Sequence, residues 1–469
     1  MSDATTRPAP GTREKPVVLV ANRGEIAVRI IAAARRIGAG PVLAASAADT
    51  DSRAARLADG VIVIGPPQAG RSYLRPEYIA QAAVHAGADV VHPGYGFLSE
   101  QPELAELLAA ENIAFAGPRP ETLRAVGDKS SARKAAVAAG VPVAPAVEVD
   151  DVHAVVPLAE SLGYPLLIKA VHGGGGRGIR LVTDAEELAR LAPQAAAEAQ
   201  AAFGNGALYL ERFYPAARHV EVQVFGDGKG GAQIFGDRDC SVQRRHQKLI
   251  EECPAPGISE ARRAVLHDSS RALVRALRYR GAGTVEFLVD TESEDVVFLE
   301  MNARIQVEHP VTEEAYGIDL VAAQLRLALG RDPQLPDVPP VPPATAIELR
   351  INAEDPDDDF RPDPGVVDRV RWPTGPGIRV DTHIEDGYPF PPFYDSLMAK
   401  VIVRAHSRPA AVAAVRSAAH SVELDGVRTT LPLHQFVLSH PDFIHGGVST
   451  SWFGPVWEQR QNRRKEAVR

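Results

Sequence analysis

EMNARIQVEHPVTE, residues Glu300 to Glu313, interleaves chemistry with hydrocarbon. In an extended chain alternate side chains share a face. Glu300, Asn302, Arg304, Gln306 and Glu308 then project one way, and Met301, Ala303, Ile305 and Val307 the other. A solvated amphipathic strand is the plain alternative, but such strands favour Thr and Lys rather than carboxylates lined up with amide and guanidinium groups. Just upstream, TVEFLVD places Glu286 in a second apolar strand, and a turn rich in Ser, Glu and Asp separates it from VVFLE. A hairpin would bring Glu286 beside Glu300. Buried carboxylates need a cation or a partner, and two carboxylates with an amide oxygen are hard ligands suited to Mg²⁺ carrying a nucleotide phosphate.

A second stretch fits that reading. KAVHGGGGRGIR, Lys169 to Arg180, sets four glycines in a row. Each costs roughly 0.5 to 1 kcal/mol relative to alanine, so something must offset them. YPLLIKAV before them and GIRLVTD after them are strand-like, so the loop joins two strands rather than opening a helix, and the P-loop pattern G-x-x-x-x-G-K-[ST] is absent. A glycine-rich hairpin tip can aim successive N–H groups at phosphate oxygens, with Lys169 supplying a point charge. A flexible surface hairpin is the alternative for the glycines taken alone.

The rest of the chain sets the frame. Its 469 residues make roughly three domains, and a 45% hydrophobic content can fill their cores. The net charge of -9 argues against a general nucleic-acid binder. MSDATTRPAPGTREKP has no apolar signal region, and no run approaches a membrane span, so a cytoplasmic protein without membrane or nucleic-acid partners is expected. Cys240 and Cys253 are too few for a disulfide framework or zinc site and read as inert thiols in a reducing compartment. VVLVA from Val17, PVLAAS, VIVIG and ADVVHPG read as strands. Between the first two lies a helix with Ile26, Ile30, Ala34 and Ile37 on one face and Gly38 as its stop. Residues 15 to about 125 therefore predict a doubly wound parallel sheet. LPDVPPVPPATA, with Pro336, Pro339, Pro340, Pro342 and Pro343, reads as a stiff linker to a separate C-terminal domain, strand-rich and then helical around 408 to 424.

ANRGEIAVRI, HPGYGFLSE, GDKSSA, IKAVHGGGGRGIR, RHVEVQV, DCSVQRRHQK, EMNARIQVEHPVTE, RINAED and YDSLMAK, in that order over nearly the whole chain, resemble biotin carboxylase, an ATP-grasp enzyme. The resemblance implies an α/β (α+β) fold in three parts. These are a doubly wound pre-ATP-grasp domain (14–127), an ATP-grasp domain (128–335) with a mobile lid at about 141–213, and a C-terminal biotin carboxylase domain (345–453). It implies ATP, Mg²⁺ or Mn²⁺, bicarbonate and biotin as ligands. Lys129, Lys169, Gly174, Gly175 and Gly176 would meet the ATP phosphates. Glu211, Arg212, Phe213 and Tyr214 would hold adenine and ribose, with His219, Gln243, His246 and Leu288 nearby. Glu286, Glu300 and Asn302 match metal ligands, and Lys248, Arg304, Gln306 and the Val307 backbone match a bicarbonate site. Glu308 matches the general base, Arg350 the stabiliser of biotin enolate, and Tyr95 a residue facing the biotin ring.

Two positions depart from the family's pattern. His172 stands where a fifth glycine is usual, and Arg212 where lysine is common. Met1, Met301 and Met398 are the only methionines, none in a Met-Lys-Met context, and the MAK at Met398 to Lys400 fits strand core. Biotin is therefore expected on a separate carrier chain or as the free vitamin, with the carboxyltransferase on another chain, and the family implies a homodimer of a stand-alone acetyl-CoA or acyl-CoA carboxylase subunit. A carbamoyl-phosphate-forming ligase is disfavoured by HQK with RINAED, and a catalytically silent nucleotide-binding scaffold by intact Glu300, Arg304 and Glu308. The tail RQNRRKEAVR reads as a solvated end.

Overall fold

The computed structural model describes residues 15–149, 154–170, 180–203, 206–245, 247–293, 295–339 and 341–468. Gly174, Gly175, Gly176, His172 and His246 lie outside them. The first sheet is wholly parallel, in the order Gly60–Val63, Gly40–Ala45, Val17–Val20, Val90–His92, Ala114–Phe115. Its first helix, Gly24–Arg36, buries Ile26, Ile30 and Ala34, as the spacing predicts. Gly38 follows at a φ of 79°, a left-handed conformation that glycine adopts without Cβ strain and that ends the helix. Burying each isoleucine on that face contributes about 1.5 to 3 kcal/mol, so Ile30→Asp would detach the helix from the sheet.

A four-stranded antiparallel sheet follows, in the order Ala146–Val149, Leu208–Arg212, Leu166–Ala170, Arg180–Val182. It forms the lid. Its buried face, with Leu166, Ile168, Val182 and Leu210, packs on the helix Ala185–Phe203 through Leu188 and Ala192. The strands flanking the glycines pair Ile168 with Arg180, so the glycine loop does join two antiparallel strands.

Beneath the lid runs an eight-stranded antiparallel sheet. Its order is Val296–Asn302, Arg280–Asp290, Ala217–Asp227, Ala232–Arg244, Gln247–Cys253, Thr345–Asn352, Leu397–Ala405, Ile378–Thr382. The C-terminal domain beyond the proline-rich linker shares this sheet: Ile250 pairs with Leu349 and Glu252 with Ile347, so one sheet crosses the boundary. Apolar side chains on both strands, Ile250, Ile347 and Leu349, bury together where the two domains meet. The helix Arg408–Ser421 packs on this end. Met398 and Lys400 lie inside the strand Leu397–Ala405, both fully buried.

The opening stretch is corrected in one respect. Its strand stops at Asn302, and residues 303 to 308 fold irregularly before the helix His309–Tyr316. The Ala303 N–H donates to Glu100 Oε1 at 3.1 Å instead of continuing the ladder, and Pro310 sits in the first turn of the following helix, where its missing donor costs nothing.

Candidate active site

The hairpin places Glu286 directly across from Glu300, and Thr284 across from Asn302. Asn302 Nδ2 bridges the two carboxylates, at 2.9 Å from Glu286 Oε1 and 3.3 Å from Glu300 Oε1. Glu286 also accepts from Gln306 Nε2 at 2.7 Å and Lys248 Nζ at 3.2 Å, and its Oε2 meets His219 Nε2 at 2.7 Å. Burial pushes this carboxyl up, but Lys248 and His219 prevail and hold it well below the usual carboxylate range. Glu300 has no such company. Burial, and then the Glu286 charge, raise its pKa, with Lys129 opposing from the first turn of the helix Lys129–Ala138. A pair of like-charged carboxylates closed over one amide is an arrangement a dication would relieve, so the donor set fits a hard metal ion.

Lys248 occupies the middle of the site. Its ammonium donates to Glu221 Oε2 at 2.6 Å and Glu308 Oε1 at 2.6 Å as well as to Glu286. Burial alone would lower its pKa; Cys240 and the three carboxylates raise it instead. This lysine is why His219, Glu221 and Glu286, close enough to chelate an ion, already surround a cation. Glu308 is clamped from both sides, with Lys248 on Oε1 and Arg350 Nη2 at 2.9 Å on Oε2. Burial opposes its ionisation, yet Lys248, Arg350 and Arg238 drive its pKa far down. Arg350 is set in turn by Glu251, 2.5 Å from Nε, while its carbonyl accepts from Thr430 Oγ1 and contacts His434 Nε2. Arg304 reaches Asn302 Oδ1 at 2.6 Å and Glu100 Oε2 at 3.1 Å. The Val307 carbonyl accepts from Lys400 Nζ at 2.8 Å.

The remaining expected residues that the structure describes lie on the four-stranded sheet and just after it, on the large sheet and in the N-terminal domain. Lys169, on the lid, bonds to Glu211 on the adjacent strand, so the residue assigned to phosphate and one assigned to adenine or ribose are paired in this state. Arg212 lies over the Tyr214 ring at 5.6 Å, Phe213 N–H donates to Pro165 O, and Tyr214 packs with Ala144, Val297 and Leu288. Gln243 pairs with Lys248 across two strands. Tyr95 is further off, lining a cleft of about 250 Å³ with Asn22, Arg23, Phe97 and Tyr394, its hydroxyl donating to Glu25.

Sequence reasoning missed the residue that organises the floor. Arg238 is fully buried and spends every donor: Nε on Glu221 at 2.5 Å, Nη1 on Gln223 and Thr312, Nη2 on Thr284 and Gln306. It thereby fixes Gln306 directly and Lys248 through Glu221. Glu221, Glu251 and Glu100 were missed with it. The signal was in VEVQV, where Glu221 and Gln223 alternate with valines in a strand buried on both faces.

A lid sheet over an antiparallel sheet that concentrates lysines, arginines and paired acids defines an ATP-dependent ligase of the ATP-grasp kind. Residues 128–335 match the carbamoyl-phosphate synthase L chain ATP-binding domain, residues 15–123 the biotin carboxylase N-terminal domain, and residues 348–454 the biotin carboxylase C-terminal domain. The chain is 44% identical over 437 residues to the biotin carboxylase of Nostoc sp., covering 93% of this chain and 98% of that protein. It is 46% identical over 436 residues to that of Pseudomonas aeruginosa, covering 92% and 96%. The Campylobacter jejuni biotin carboxylase complexed with β,γ-ATP superposes with a TM-score of 0.87 at 40% identity, covering 94% and 99%. The biotin carboxylase domain dimer of Hydrogenobacter thermophilus 2-oxoglutarate carboxylase, bound to MgADP, ADP and bicarbonate, superposes at 0.85 and 40%, covering 94% and 97%. The chain belongs to the biotin carboxylase family and is an ATP-dependent ligase.

Proposed function

We propose that this site joins bicarbonate to the γ-phosphate of ATP and passes the resulting CO₂ to biotin on a separate carrier chain, as the first half-reaction of an acyl-CoA carboxylase. The observation that carries the reading is Glu308 held between Lys248 and Arg350, beside the Glu286 and Glu300 pair. Glu286, Glu300 and Asn302 would hold Mg²⁺ or Mn²⁺, which when bound neutralises charge on the phosphates. Lys129, Lys169 and the glycine loop of the lid would close on those phosphates, and Glu211 to Tyr214, with His219, Gln243, His246 and Leu288, would hold the nucleoside.

Bicarbonate is a poor nucleophile and gains from losing its proton. Glu308 as found is too well stabilised to be a strong base. An anion entering among Lys248, Arg304, Gln306 and the Val307 backbone draws on the same cations and returns basicity to Glu308. Once its proton is taken, a bicarbonate oxygen forms the bond to phosphorus and ADP leaves. Carboxyphosphate then breaks into CO₂ and phosphate, phosphate takes the biotin N1′ proton, and Arg350 stabilises the enolate. Tyr95 would face the biotin ring. We place the domain limits at 14–127, 128–335 with the lid at 141–213, and 345–453. A carboxyltransferase on another chain, a homodimer and a cytoplasmic setting complete the proposal; the dimeric Hydrogenobacter thermophilus domain supports the assembly. The test is ATP hydrolysis by the purified protein. It should require Mg²⁺ and bicarbonate and be stimulated by free biotin, and turnover indifferent to bicarbonate would sink the assignment.

A further inference from the structure

Lys400, the lysine of YDSLMAK, has no exposed surface, and three parts of the molecule meet on its ammonium. From the C-terminal domain strand Leu397–Ala405 it donates to the Val307 carbonyl at 2.8 Å, in the segment that carries Gln306 and Glu308. It pairs with Glu25 at 3.1 Å, at the start of the first helix of the N-terminal domain. Asp381, on the neighbouring strand, lies 3.9 Å away and is itself bound by Arg379. The oxygen of Glu25 that faces Lys400, Oε1, also accepts the Tyr95 hydroxyl, and Asn22 Nδ2 holds the Tyr95 carbonyl at 2.8 Å. Glu25 Oε2 has no hydrogen-bond partner among the described residues.

We propose that Lys400 is a positioning residue, the middle of a buried relay Tyr95–Glu25–Lys400–Val307 that sets the bicarbonate segment and the biotin-facing tyrosine in one geometry. Packing alone does not account for it. An ammonium on a fully buried strand costs several kcal/mol of desolvation that a methionine would avoid, so its retention calls for a specific partner. Its partners here are the backbone of one substrate segment and the carboxylate that orients the other. Burial pushes the Glu25 carboxyl up and Lys400 opposes without cancelling it, and the ammonium and the Tyr95 hydroxyl share the same Glu25 oxygen. A charge-assisted bond from Lys400 fixes where the Val307 peptide stands, and with it the reach of Gln306 and Glu308 on either side.

The proposal rests on the residue roles given above, and its test separates the two. Lys400→Met alone would bury an uncompensated Glu25, so the informative variant is Glu25→Gln with Lys400→Met, which removes both charges together. Bicarbonate-dependent ATP hydrolysis in the full-length protein gives KM for bicarbonate and for MgATP, with and without free biotin. The double variant should raise KM for bicarbonate by roughly tenfold or more, the scale of a lost charged hydrogen bond, while KM for MgATP stays within about twofold. Glu25→Gln alone keeps the Val307 bond and should shift chiefly the biotin concentration giving half-stimulation. The bicarbonate effect should also appear without turnover, as a smaller bicarbonate-dependent rise in Tm in the presence of MgADP. A double variant that loses kcat or Tm with both KM values and the bicarbonate shift unchanged has a merely structural lysine, and the proposal is wrong. Wild-type hydrolysis that ignores bicarbonate overturns the functional reading and the proposal with it.

Discussion

Arg238→Met replaces the buried guanidinium under the site by a side chain of similar length without donors. Five hydrogen bonds go, to Glu221, Gln223, Thr284, Gln306 and Thr312. Glu221, itself fully buried, is left with Lys248 alone on its other oxygen. Removing one partner of a buried ion pair typically costs about 3 to 5 kcal/mol, and the remaining lysine places this case toward the lower figure, about 3 kcal/mol. Glu221→Gln with Arg238→Met removes the stranded charge and should cost no more than Arg238→Met by itself. The assay is a double-mutant cycle on unfolding midpoints in urea, read by far-UV circular dichroism and by tryptophan fluorescence so that separate domain transitions are seen. Losses that simply add, or an Arg238→Met cost under about 1 kcal/mol, would mean that the five contacts do not act as a unit.

Glu300→Gln should abolish productive MgATP use at every Mg²⁺ concentration, because a hard anionic ligand becomes a neutral amide; normal rates across a Mg²⁺ titration would remove the hairpin metal site. Glu251 and Glu348 face each other across neighbouring strands; burial first, helped by nearby carboxylates and opposed by Arg350 and Lys400, pushes Glu251 up to about 7 from 4.5 and Glu348 well above its usual value. Their folded values lie above the unfolded one, so the pair's stabilising contribution is complete below pH 4.5 and is lost as pH rises, for Glu251 through about 7. Glu348→Gln should flatten that fall in Tm, and an unchanged pH profile would show that the pair does not titrate there. Gly175→Val and Gly176→Val should raise the nucleotide Kd and cut turnover by blocking backbone approach to phosphate; unchanged values would mean that the loop never meets the phosphates.

The pairing of Glu286 with Glu300 was legible because a short polar turn between two apolar runs leaves few registers open. The helix from Gly24 and the strands around it were legible from spacing alone. The end of the strand at Asn302 was not, since the alternation runs on to Glu308 while the ladder is interrupted by Glu100, a residue of the other domain. Arg238 and Glu251 stayed hidden for a related reason: Gln306 and Arg350 lie far from them in the chain, and only the assembled fold brings them together. The sheet that crosses the proline-rich segment was equally invisible, because composition describes the connection and not the strands it allows to meet. Lys400 was read as strand core from its apolar neighbours; it is core, but its ammonium is bonded to the site.

The central claim is that a bicarbonate oxygen attacks the γ-phosphorus, with Glu308 between Lys248 and Arg350 taking the proton. If so, that oxygen stays on phosphorus when CO₂ departs. Turnover of ATP with ¹⁸O-labelled bicarbonate, quenched early and read by mass spectrometry of the inorganic phosphate, follows it directly. The account predicts one bicarbonate-derived ¹⁸O in each phosphate released, with the label lost along with turnover in Glu308→Gln. Phosphate whose one added oxygen comes from solvent water would show that the enzyme hydrolyses ATP without activating bicarbonate, and would contradict the account.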